Sequence, residues 1–132
     1  MNIIGIGTDI VAIARIKVIW DRFGQKFAKR ILTKSEWLDL LKSRNPVAFL
    51  AKRFAAKEAV AKALGVGFRD TIFLTDIGVA NDPIGRPYLL FSGGAEVEIK
   101  RQFISETHLS ISDENEFALA FVILAGDKKM PQ

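Results

Sequence analysis

The stretch from Asn45 to Gly65 constrains the fold more than any other part of the chain. Its start and its stop are both written in. Asn45 is a favoured N-cap, Pro46 suits the first helical position, and Gly65 suits the left-handed residue that ends a helix. Between them the segment is rich in alanine, and only Val47 and Val60 are β-branched, so propensity agrees with the caps.

At about 100° per residue this helix has three distinct surfaces. Leu50, Phe54, Ala61 and Leu64 form a bulky face that points into a core. Ala48, Ala51, Ala55, Ala59 and Ala63 form a face shallow enough for a backbone or a ligand to lie against it. Glu58 and Lys62 stand one turn apart on the seam between the two faces. Taken alone, they make an ordinary helical ion pair worth about 0.2 to 0.5 kcal/mol. Arg53 and Lys57 share the opposite edge of the bulky face, where an inward-turned Lys57 ammonium requires a partner.

A chain of 132 residues, 49% of them apolar, supports one domain with a real core and not two. Residues 1–125 read as that domain and residues 126–132 as a polar, disordered tail. There is no cysteine, which excludes disulfides and thiolate metal sites. No apolar run approaches the ~20 residues of a membrane span, and the N-terminus lacks a charged segment ahead of its apolar stretch, so a cytoplasmic protein is expected. The charge is unevenly placed. Met1 to Arg69 carries 14 Lys/Arg against 5 Asp/Glu, and the remainder carries 5 against 10. A basic half of this kind favours an anionic partner.

Ile3 to Val11 reads as a mostly buried strand with Gly5, Gly7 and Asp9 on one face, leaving room for something to approach it. By itself, Asp9 reads better as a cap for the next helix. Ala12 to Phe23 is an amphipathic helix with Ile13, Ile16, Ile19, Trp20 and Phe23 inward and with Arg15 and Arg22 outward. A short basic segment follows Gly24, and Thr33-x-x-Glu36 is a capping box opening a further helix. Arg15, Arg22, Lys26, Lys29 and Arg30, interleaved with Phe23 and Phe27, form a docking surface or a solvated basic face. Past Gly67 the pattern changes to strands at 72–80 and 88–91 around a Pro/Gly turn. A helix over 95–104 and strands over 108–112 and 117–124 complete the chain. His108, the one histidine, shares a strand face with Ser110 and Ser112.

There is no phosphate-binding glycine loop, no dinucleotide fingerprint and no zinc-protease motif. Asp9 and Glu58 remain as two carboxylates among many cations. Hard oxygen donors suit Mg²⁺, which takes one or two carboxylates and completes its shell with water and phosphates, so metal-assisted phosphate chemistry is suggested.

Four segments in order carry a resemblance. They are Gly5-Ile-Gly-Thr-Asp9-Ile-Val with Arg15 beyond it, Arg53-Phe-Ala-Ala-Lys57-Glu58-Ala-x-x-Lys62-Ala, Gly85-Arg-Pro87, and His108-Leu-Ser-Ile-Ser. From Ile3 to Ile123 the chain resembles the holo-[acyl-carrier-protein] synthases, the short bacterial phosphopantetheinyl transferases. That resemblance implies an α+β fold with helices on a mainly antiparallel sheet, assembled as a homotrimer with coenzyme A between subunits. It implies transfer of 4'-phosphopantetheine from coenzyme A to a serine of apo acyl carrier protein, releasing adenosine 3',5'-bisphosphate, in support of fatty acid biosynthesis.

Within the resemblance Asp9 and Glu58 match the Mg²⁺ ligands, and Lys62 matches a lysine near the transferred phosphate. Glu58, directly or through a water of the metal's shell, is the expected proton acceptor. Arg44, Arg53, Lys62 and His108 are candidates for holding the coenzyme A phosphates. Arg15, Arg22, Phe23, Lys26 and Phe27 are candidates for docking the acidic carrier protein. Two non-catalytic alternatives share the composition: a basic nucleic-acid-binding module and a protein that only sequesters coenzyme A.

Overall fold

The computed structural model describes residues 1–66 and 72–127. Strand β1 (Asn2–Ala12) leads into helices α1 (Ile13–Phe23), α2 (Gln25–Ile31), α3 (Lys34–Lys42) and the long α4 (Pro46–Leu64). After a 3-10 turn at Leu74–Asp76 come strands β2 (Ile77–Asn81) and β3 (Pro87–Phe91), helix α5 (Gly93–Arg101), and strands β4 (Ile104–Asp113) and β5 (Phe117–Gly126). β1, β5 and β4 form an antiparallel sheet with β5 in the middle, and β2 pairs with β3 as a separate hairpin. This is the expected α+β arrangement.

α4 is bounded as its sequence requires. The Asn45 side chain accepts a hydrogen bond from the Ala48 N–H at 3.1 Å, and Gly65 adopts φ 79°. The alanine face of α4 lies on the sheet: Ala51, Ala55, Ala59 and Ala63 are buried, as are Ala118, Ala120, Val122 and Leu124 of β5. A Cβ on Gly5 would sit 1.9 Å from the Ala63 carbonyl oxygen, and one on Gly7 would sit 2.0 Å from that of Ala59. Glycine in the strand and alanine in the helix therefore permit backbone-to-backbone contact that larger side chains would prevent. The space expected beside Gly5 and Gly7 is filled by α4, and the alanine face is covered by the chain's own sheet.

Several expectations shift. β1 is half-buried and not mostly buried, because only its Gly7, Asp9 and Val11 side meets α4, while Ile6 and Ile10 are 59% and 62% exposed. A bulge between Ile3 and Gly5 restores the face on which Gly5 meets the helix. Phe23, expected inward, is 51% exposed at the end of α1. The basic segment after Gly24 is a helix, α2, with Ala28 and Ile31 as its buried residues. The strand expected from Ile72 starts at Ile77, α5 starts at Gly93, and β4 starts at Ile104. β5 runs through Gly126, which pairs with Asn2 and Ile104. Residues 128–132 of the expected tail lie outside the described residues.

The capping box forms: Glu36 N–H donates to the Thr33 hydroxyl at 3.2 Å, and Thr33 N–H donates to Glu36 at 2.9 Å. The same Glu36 supplies the partner that Lys57 required. The Lys57 ammonium, fully buried, lies 2.7 Å from Glu36 Oε1 and also donates to the carbonyls of Leu74 and Ile77. Breaking this pair on one side would leave a buried charge uncompensated, at a cost of about 3 to 5 kcal/mol.

Candidate active site

The contact between β1 and α4 sets the positions of the chemistry-bearing side chains. Asp9 follows Gly7 on the strand face turned toward α4, and Glu58 and Lys62 lie on the helix beside Ala59. Lys62 Nζ donates to Asp9 Oδ1 at 3.0 Å and to the Thr8 carbonyl at 2.9 Å. Lys62 therefore bridges to the strand in place of the helical pair with Glu58.

Glu58 is half-buried, and its carboxyl holds a proton above the usual carboxylate range. Burial is the main cause and the charge of Asp9 the second, opposed by Lys62 and Arg15. Two carboxylates close enough to repel each other suit a hard divalent cation, which would relieve that repulsion. Among the described residues no third His, Cys, Asp or Glu joins them. Any further donors would therefore come from water or a bound phosphate.

Sequence reasoning grouped Arg15 with the docking surface alone. Its effect on Glu58 places its charge beside the carboxylates as well. Between α1 and α2 a groove of 710 Å³ is floored by Ile19, Phe23 and Phe27 and edged by Lys26, Lys29 and Arg30. The Arg22 guanidinium lies 5.1 Å from the Phe23 ring. Arg15, Arg22, Phe23, Lys26 and Phe27 are thus all on or next to α1 and α2, with apolar and basic character combined.

The remaining candidates are dispersed. Arg44 is exposed in the α3–α4 connection. Arg53 is buried, with Nε 3.5 Å from Glu36 Oε2 and its guanidinium 4.5 Å from the Phe49 ring. It lines a groove of 660 Å³ with Asp39, Phe49, Lys52, Asn81 and Gly85. His108 is exposed on the other side of the sheet, 3.4 Å from Glu106, so one chain does not bring it to Asp9. The same open face carries Ile6, Ile10, Leu119 and Phe121.

Sequence reasoning treated Glu36 only as a cap and missed it as the buried partner of Lys57 and Arg53. The available signal was that Lys57 needed a buried anion and Glu36 was one of only five acidic residues in the basic half.

The sequence profile of the 4'-phosphopantetheinyl transferase superfamily matches residues 5–122. A holo-[acyl-carrier-protein] synthase from Nitrosospira multiformis is 49% identical over 92% of this chain and 98% of its own length. The crystal structure of holo-[acyl-carrier-protein] synthase from Neisseria meningitidis superposes with a TM-score of 0.89 at 45% identity, covering 94% of this chain and 99% of that one. A holo-(acyl-carrier-protein) synthase from Bacillus anthracis, in complex with CoA (3',5'-ADP), superposes with a TM-score of 0.80 at 38% identity, covering 95% and 98%. The chain belongs to the holo-[acyl-carrier-protein] synthase family of phosphopantetheinyl transferases and is an enzyme of that family.

Proposed function

We propose that the chain transfers the 4'-phosphopantetheine group from coenzyme A to a serine of apo acyl carrier protein, using Mg²⁺ and releasing adenosine 3',5'-bisphosphate. The observation that carries this reading is the meeting of Asp9 and Glu58 at the glycine–alanine contact, with the Lys62 ammonium 3.0 Å from Asp9. Asp9 and Glu58 would hold the Mg²⁺. The ion would supply positive charge to the pyrophosphate and lower the cost of the charge that develops there.

The chain's own residues account for the rest. Glu58 accepts the serine proton, directly or through a water. The serine oxygen bonds to the phosphorus that carries the pantetheine. The bond from that phosphorus to the bridging oxygen breaks, and the nucleotide leaves with the electron pair. Lys62, exposed and held at Asp9, neutralises the departing phosphate. The groove beside Arg53 takes the nucleotide end of coenzyme A, with Phe49 as a flat apolar wall and Arg44 at its approach.

The apolar open face of the sheet supports a trimer, because Ile6, Ile10, Leu119 and Phe121 form one patch that water disfavours. In such a trimer His108, on that face, would serve a neighbour's site. The α1–α2 groove suits an acidic carrier protein, with Phe23 and Phe27 as anchors and Arg15, Arg22 and Lys26 as steering charges. We place the activity in the cytoplasm and in fatty acid biosynthesis; no described helix is long and apolar enough to cross a membrane. Incubating the protein with apo carrier protein, coenzyme A and Mg²⁺ should add the mass of one phosphopantetheine group to the carrier. An unchanged carrier mass would refute the reading.

A further inference from the structure

Glu36, Arg53 and Lys57 are the buried charged residues of the described chain, and they form one cluster. Glu36 is its only anion. Its Oε1 accepts from Lys57 at 2.7 Å and from the Thr33 N–H at 2.9 Å. Its Oε2 accepts from the Val79 N–H at 3.0 Å and lies 3.5 Å from Arg53 Nε. Through Lys57 the cluster also reaches the carbonyls of Leu74 and Ile77. One carboxylate thus ties together α3, α4 and β2.

Those three elements are also walls of the groove beside Arg53, contributing Asp39, Phe49, Arg53 and Asn81. Arg53 is buried, 5% exposed, and its Nε has no hydrogen-bond partner among the described residues. Arg53 and Lys57 share one buried anion, Glu36, and Asp39 in the groove wall adds a further negative charge near Arg53. Burial pulls both Arg53 and Lys57 down from their ordinary values, and Glu36 is the largest influence opposing this in each. Arg53 thus has Glu36 as its buried counter-charge while its guanidinium lies against Phe49.

We propose that Glu36 is a positioning residue for coenzyme A: it holds Arg53 at the groove wall and fixes the spacing of the three elements that line the groove. The inference rests on reading that groove as the nucleotide site. A capping role alone would make Glu36 matter for folding and equally for every substrate. A positioning role makes it matter for coenzyme A and not for the carrier protein, which meets other elements.

The test measures coenzyme A affinity by calorimetry with no carrier present, together with KM for both substrates. Glu36→Asp keeps the charge but withdraws it by one methylene, and the paired Glu36→Gln/Lys57→Met removes one buried charge of each sign. Either variant that retains a cooperative melt should bind coenzyme A about tenfold more weakly, with the carrier KM changed by less than about twofold. Adding Arg53→Ala to the paired variant should cause no further loss, since the two changes act through one contact. Folded variants with wild-type coenzyme A affinity, or with both KM values raised alike, would overturn the positioning role while leaving the groove reading in place. Wild-type affinity in Arg53→Ala alone would overturn the groove reading itself, and the role of Glu36 with it.

Discussion

The Lys62 ammonium lies 3.0 Å from Asp9 and joins α4 to β1, although Glu58 stands one helical turn away from it on the same helix. The cation partly offsets the raised proton affinity that burial and Asp9 give Glu58. Replacing Lys62 by Ala should lower kcat by about 10²-fold, the scale of one lost electrostatic contact to a developing charge, as read in single-turnover kinetics.

Glu58→Gln keeps the shape of the side chain and removes its basicity. Transfer should fall by about 10²- to 10⁴-fold while the circular dichroism melt stays cooperative. Near-normal turnover would take Glu58 out of the mechanism.

The elevated proton affinity of Glu58 also predicts a stability signature in protein stripped of metal. The folded state binds the Glu58 proton more tightly than the unfolded chain does, so stability is fully present below the unfolded value and is lost as pH rises through the folded one. Glu58→Gln removes that loss. Urea midpoints in chelator should show the variant gaining on the parent chain as pH rises from the ordinary carboxylate value through the raised one; a gain in the opposite direction would contradict the burial of this carboxyl.

Gly7→Ala places a methyl group 2.0 Å from the Ala59 carbonyl oxygen, and neither backbone can yield without moving the site. We expect a loss of about 2 to 3 kcal/mol in thermal or urea unfolding, accompanied by loss of transfer. Stability and activity should fall together, since one displacement separates Asp9 from Glu58.

Reversing Arg15 and Arg22 to Glu should raise the carrier-protein KM by about tenfold or more, in a salt-dependent way, with a smaller effect on the coenzyme A KM. Equal movement of both constants would remove α1 from the docking surface. Arg15 is the more informative of the two because its charge also reaches Glu58.

Much of this arrangement was legible from single residues. Asn45, Pro46 and Gly65 mark the ends of α4 because caps act locally, and Thr33 with Glu36 marks the start of α3 for the same reason. The pairing of Asp9 with Glu58 was suggested by elimination among the acidic residues and made specific by the family pattern, since nothing local in either segment specifies the other. Gly5 and Gly7 announced a close approach without naming it: a missing side chain shows that something comes close, without showing whether it is a ligand or a helix. α2 was missed because its seven residues are too few for a strong periodic signal. The burial of Arg53 depends on Glu36, a contact between helices that no spacing in the sequence announces.

The glycine–alanine seam has a mechanical consequence. Where Gly5 and Gly7 meet Ala63 and Ala59 no side chain intervenes, so the spacing of the Asp9 and Glu58 backbones is set by main-chain packing. Sequence drift in the surrounding helices can then retune which partner is welcomed while the reacting centre keeps its dimensions.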